Sequence, residues 1–102
     1  MNRPPDIKAI ITCNRDTPFY NGYRPAHLIK DDYLTSGEHK YYDIDKIECN
    51  ESKLGYITFI TPEAYPNCLW KGKRILIQEG SKTVGEAIIT EIYNELLLYK
   101  DR

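Results

Sequence analysis

The sequence predicts an all-β domain: a six-stranded antiparallel barrel closed on itself. Two observations lead there. Short segments of alternating or β-branched residues recur along the chain, separated by Gly, Pro, Asn and Asp turn signals, and no stretch carries a helical period. Tyrosine is also abundant, with 9 Tyr against 2 Phe and 1 Trp, and flat amphipathic rings suit a half-buried pleated surface. Closure is the natural solution for such strands, because it removes exposed edges.

The chain is read as a leader over 1–5, a barrel over 6–93 and a tail over 94–102. The proline-ended leader is expected to be flexible. Asp6 to Asn14 reads as the first strand, with Ile7, Ala9, Ile11 and Cys13 on one face and Lys8, Thr12 and Asn14 on the other. Arg15 to Gly22 is a loop carrying the turn dipeptide Asn21-Gly22. Tyr23 to Lys30 is a second strand. Pro25 places it at an edge or a strand start, because proline donates no ladder bond. His27 shares a side with Tyr23 and Ile29 and reads as a structural residue.

Asp31 to Glu38 reads as a polar turn. Asp31 and Asp32 are adjacent, so on a strand they point to opposite faces and do not converge on a cation. Tyr41, Tyr42, Ile44 and Ile47 suggest an irregular third strand, and Asp43 to Lys53 a solvated surface. Gly55 to Thr61 alternates as a strand. Pro62 and Pro66 bound a connection that leads through Cys68, Leu69 and Trp70 to the turn Lys71-Gly72-Lys73. Arg74 to Glu79 and Thr83 to Tyr93 form a hairpin across Gly80-Ser81, and Gly85 marks a bulge or a close backbone approach. The apolar run Leu96 to Tyr99 in the tail packs on its own barrel or on a second chain.

A net charge of −1 gives no overall pull toward nucleic acid. The three cysteines, Cys13, Cys49 and Cys68, cannot all pair with one another, no signal-peptide pattern is visible, and no apolar run approaches a bilayer's thickness. These features point to a cytoplasmic protein with reduced thiols. Walker, zinc-ligand and nucleophile-elbow motifs do not occur, so the reading is non-enzymatic, without metal, cofactor or bound nucleotide.

Two distant stretches stand out: Thr17-Pro18-Phe19-Tyr20-Asn21-Gly22-Tyr23-Arg24-Pro25 and Gly80-Ser81-Lys82-Thr83-Val84-Gly85. In this order and separation they resemble the C-terminal, third domain of elongation factor Tu. Its patterns run Arg-His-Thr-Pro-Phe-Phe-x-Gly-Tyr-Arg-Pro-Gln and Arg-Glu-Gly-Gly-Arg-Thr-Val-Gly. The resemblance covers most of Asp6 to Tyr93, with Glu38 to Lys53 aligning poorly. It implies the translation-factor type of six-stranded barrel, here as a free-standing domain. In the family that domain holds the T stem of aminoacyl-tRNA and meets the exchange factor and the GTPase domain. Arg15 and Thr17 match the first motif; Gly80, Ser81, Lys82 and Thr83 match the second. The chain departs at Asp16 for histidine, Ala26 for glutamine, Gln78 and Lys82 for arginine. Asp16 adds negative charge, and lysine lacks the planar guanidinium fork.

These departures favour a protein partner related to translation factors over tRNA. The alternative is a weak RNA-binding accessory, with Arg15, Arg24 and Lys82, together with Lys71, Lys73 and Arg74, as a basic patch and Ser81 and Thr83 as phosphate or ribose contacts. Thr17, Phe19, Gly22, Pro25 and Gly85 also have a purely structural reading, as residues the turns require.

Overall fold

A computed structural model describes residues 3–30 and 32–100. Its strands are β1 (Ile7–Cys13), β2 (Phe19–Tyr20), β3 (Ala26–Lys30), β4 (Tyr33–Tyr41), β5 (Lys46–Ile47), β6 (Ser52–Phe59), β7 (Arg74–Glu79) and β8 (Lys82–Ile92). The one helical element among the described residues is a 3-10 turn, Pro62–Ala64. Six strands close into a barrel in the order β1-β6-β4-β3-β7-β8, every pair antiparallel. The short strands β2 and β5 pair as a separate ribbon. The all-β closed barrel expected from the sequence is the observed architecture.

Alternation places the core. In β1, Ile7, Ala9, Ile11 and Cys13 are fully buried, while Ile10 between them faces out. Ile57 and Phe59 of β6, Ile75 and Ile77 of β7, and Val84, Ala87 and Ile89 of β8 fill the same interior. Each buried Ile, Val or Phe side chain contributes about 2 kcal/mol by leaving water, and each alanine methyl less. Pro25 immediately precedes β3, so its missing N–H interrupts no ladder.

Asp6 fastens the two ends of the described chain. Its buried carboxylate accepts from the Phe59 amide at 2.7 Å, from Asn94 Nδ2 at 2.8 Å and from both Arg3 guanidinium nitrogens. Its carbonyl accepts from the amides of Tyr93 and Asn94. The tail then makes a turn and lies beside the Cys68–Leu69 segment, bridged at Leu69 and Leu98. Leu97 is buried there, while Leu96 and Tyr99 remain exposed.

Two expectations need correction. The segment read as a polar turn from Asp31 to Glu38 is mostly strand β4; Asp31 itself lies outside the described residues, and Asp32 occupies the turn with φ +56°. The irregular strand read over Tyr41 to Ile47 does not form as such: Tyr41 ends β4, and only Lys46–Ile47 pairs, with β2. The reason is that β4 turns Thr35, Gly37, His39 and Tyr41 inward, an interior row with little apolar signature. Ser52 and Lys53, at the end of the run read as solvated surface, are exposed and also open β6.

That polar interior is fully hydrogen-bonded. His27 Nδ1 lies 3.3 Å from the Thr35 carbonyl, which only accepts, so this nitrogen donates. In the neutral ring His27 Nε2 then accepts from His39 Nε2–H at 2.8 Å, and His39 Nδ1 accepts from the Tyr41 hydroxyl at 3.0 Å. The Thr35 and Tyr65 hydroxyls bond to each other at 2.8 Å. Phe59 and Tyr23 pack edge-on against His27 and His39 respectively. No buried side-chain nitrogen or oxygen among the described residues lacks a partner.

Burial pushes His27 down to about 4, against the donation to Thr35, which acts the other way. Burial, with repulsion from His27, pushes His39 well below its ordinary value. An unfolded chain therefore takes up protons from about pH 6.5 downward that the barrel refuses. Stability from this pair is fully present above that pH and falls as pH drops toward 4. Urea titrations should show a loss of about 3 kcal/mol from His27 alone across this window. Replacing both histidines with glutamine should flatten the slope.

Candidate functional site

The two loop motifs meet at one end of the barrel. Cys13, the last residue of β1, pairs with Gly85 of β8, and the Asn14 amide donates to the Val84 carbonyl at 2.8 Å. This pairing sets the Arg15–Pro18 loop beside the β7–β8 hairpin. The hairpin turns at Gly80, with φ +62°, the first central position that a type II′ turn reserves for glycine. On the other side, Tyr23 N donates to Tyr20 O across Asn21-Gly22, and Gly22 alone of that dipeptide has positive φ, at +89°. This is the type II arrangement. Asn21 contributes by its side chain instead, accepting from the Tyr41 amide at 2.7 Å and donating to the Ile44 carbonyl at 3.2 Å.

Arg15 is the centre of the site. Its guanidinium lies 5.0 Å from the Phe19 ring centroid and 4.7 Å from that of Tyr23. It donates to the Thr17 carbonyl at 3.1 Å, the Pro18 carbonyl at 2.6 Å and the Tyr23 hydroxyl at 3.2 Å. It also pairs with Glu79, whose same oxygen accepts from the Tyr23 hydroxyl. Burial and this bond to Glu79 push the Tyr23 hydroxyl far above its ordinary value, so it stays a donor. Phe19 is wholly buried beneath, its ring against Gly85.

The other expected residues are distributed differently. Thr17 is exposed, as are Gly80, Ser81, Lys82 and Thr83 on the hairpin. Arg24 is exposed and pairs with Glu38 at 3.3 Å. Arg74 pairs with Glu86 at 2.6 Å. Lys73 donates to the Ile29 and Cys68 carbonyls and lies over the Trp70 ring. Lys71 is exposed. Lys71, Lys73 and Arg74 precede or begin β7, whereas Lys82 follows its end, roughly 17 Å away at strand rise. The structure thus brings Arg15 and the hairpin together and leaves the remaining basic residues outside that cluster.

Glu79, which holds Arg15, is the residue that the sequence reading left out. Its place immediately before Gly80, where the second stretch begins, was the available signal. Among the described residues no group of three or more His, Cys, Asp or Glu is placed to hold a metal ion. The cysteines Cys13 and Cys68 are buried and Cys49 is exposed, all unpaired with one another. No family model matches the chain.

At Gly85 the second motif packs against the Phe19 ring of the first. A Cβ there would collide with the Thr12 carbonyl oxygen and come within 3.0 Å of the Phe19 ring. Gly80 has open space around the same position. Gly85→Ala should cost about 2–3 kcal/mol in urea melts through forced displacement. Gly80→Ala should cost about 1 kcal/mol, from its positive φ alone. Equal costs would contradict the close approach.

Proposed function

We propose that this chain is a non-catalytic protein-binding module of the cytoplasm, linked to translation and built like the third domain of elongation factor Tu. The observation that carries the reading is the engagement of Arg15. A guanidinium stacked on two rings and paired with Glu79 is a poor phosphate ligand, because binding RNA requires breaking that arrangement first. Arg24 and Arg74 are likewise paired with carboxylates. Phosphate contacts dominate affinity for nucleic acid, so a barrel whose Arg15, Arg24 and Arg74 are already paired favours proteins. The two shared motifs support the translation-factor likeness, since their residues form one connected rim.

A specific feature favours the RNA reading as well. Lys82 is exposed, has no ion pair among the described residues, and sits between exposed Ser81 and Thr83. Titration with labelled transfer RNA at 50 and 200 mM salt separates the readings. The protein-binding reading expects dissociation constants weaker than about 10 μM at the higher salt, unchanged by Lys82→Ala. Tight, steeply salt-dependent binding lost in Lys82→Ala would replace it with the RNA reading. In parallel, capture from nuclease-treated cytoplasmic extract should retain a translation-associated protein; a folded bait retaining none contradicts the first reading.

A further inference from the structure

The outer face of the barrel carries a second feature, away from the rim. In register, Leu34 of β4 lies opposite Leu28 of β3, and Leu28 lies opposite Leu76 of β7. Paired residues share a face, and their neighbours Ile29, Ile75 and Ile77 are buried, so the three leucines form an outward apolar row. Leu34 is 44% exposed. Such a row across three strands is a contiguous patch rather than a scattered surface residue.

Beside the row a groove of about 530 Å³ opens between β3, β7 and the loop before β7. Leu28 and Leu76 line it together with Trp70, which is 47% exposed. Tyr99 stands edge-on to the indole at 6.1 Å. Lys30, Lys73 and Arg74 also line the groove; Arg74 is turned to its pair with Glu86, and no carboxylate among the described residues lines the groove itself. The positive field reaches Cys68 at the groove wall: burial raises that thiol, and both Lys73 and Lys30 oppose the rise. Carbonyl contacts and the indole hold the Lys73 ammonium in place.

We propose that this groove docks an acidic peptide segment carrying a large apolar side chain. A carboxylate of the segment meets the exposed Lys30, and a Leu, Phe or Trp side chain lies on Leu28 and Leu76 against Trp70. Cations alone would suit any polyanion. The apolar row alongside them selects a peptide over a nucleic-acid backbone, which offers no side chain to cover leucine. The proposal rests on the protein-binding reading and places a contact away from the Arg15 rim.

A random dodecapeptide display library, selected on the wild-type chain and counter-selected on Lys30→Glu, tests this. Trp70 is the only tryptophan, so its emission reports the groove directly. Enriched peptides should be net acidic with at least one Leu, Phe or Trp. They should shift Trp70 emission to the blue saturably and bind tenfold or more weakly to Lys30→Glu and Leu28→Ser. Backbone amide spectra of both variants establish that they fold, with Lys30→Gln replacing any that does not. No enrichment, enrichment of basic or purely polar peptides, or binding that leaves the emission unchanged overturns the proposal. Extract capture repeated with Leu28→Ser separates the two claims. Retention of a partner despite a failed peptide selection removes the groove and keeps the protein-binding reading; loss of both removes both.

Discussion

One guanidinium joins the two loop motifs on which this end of the barrel depends. Arg15 leaves β1, reaches across the Phe19 and Tyr23 rings and meets Glu79 at the foot of the β7–β8 hairpin. Loops without internal ladders lose conformational entropy when ordered, and the cost must be offset by contacts. Here a stacked, multiply bonded side chain supplies them. The arrangement also needs Gly85, because Phe19 reaches its buried seat only where β8 has no side chain. Rim, aromatic layer and hairpin are therefore one unit, and charge that looked available in the sequence is held inside it.

Below this unit the barrel interior is mostly apolar, with one polar row running through it. The β1, β7 and β8 walls contribute aliphatic side chains, whereas β3 and β4 contribute the His27–His39 pair, Thr35 and Gly37. A buried polar row is tolerable only when each donor finds an acceptor, and the chain from Tyr41 through both imidazoles to the Thr35 carbonyl does this with both rings neutral. Gly37 belongs to the same design: a Cβ there would stand 3.1 Å from the His27 ring and 3.0 Å from Ile57.

The legibility of the sequence follows from the same division. β1, β7 and β8 were readable because buried Ile, Ala and Val recur at near-alternate positions in β-branched-rich runs, even though Ile10, Leu76 and Ile88 fall between them. β4 was not, because Thr35, Gly37 and His39 imitate a polar turn when their partners across the barrel are unknown. The two-residue strands β2 and β5 are too short to carry a period. At the rim, turn chemistry revealed Gly22, Gly80 and Gly85. The assignment of Arg15 as a contact residue depends on whether its charge is already paired, and that pairing spans Arg15 to Glu79, a separation no local pattern reports. The groove at Leu28, Trp70 and Leu76 was invisible for a similar reason: its walls come from distant segments that only closure brings together.

The most direct measurement is a double-mutant cycle on stability with Arg15→Ala, Glu79→Ala and the pair. Exposed ion pairs couple by less than about 1 kcal/mol. A guanidinium stacked on two rings and sharing its carboxylate with Tyr23 should couple to Glu79 by about 1 kcal/mol or more. Single and double variants that add within about 0.3 kcal/mol would mean that the two motifs are independent and that Arg15 is available to an external partner after all.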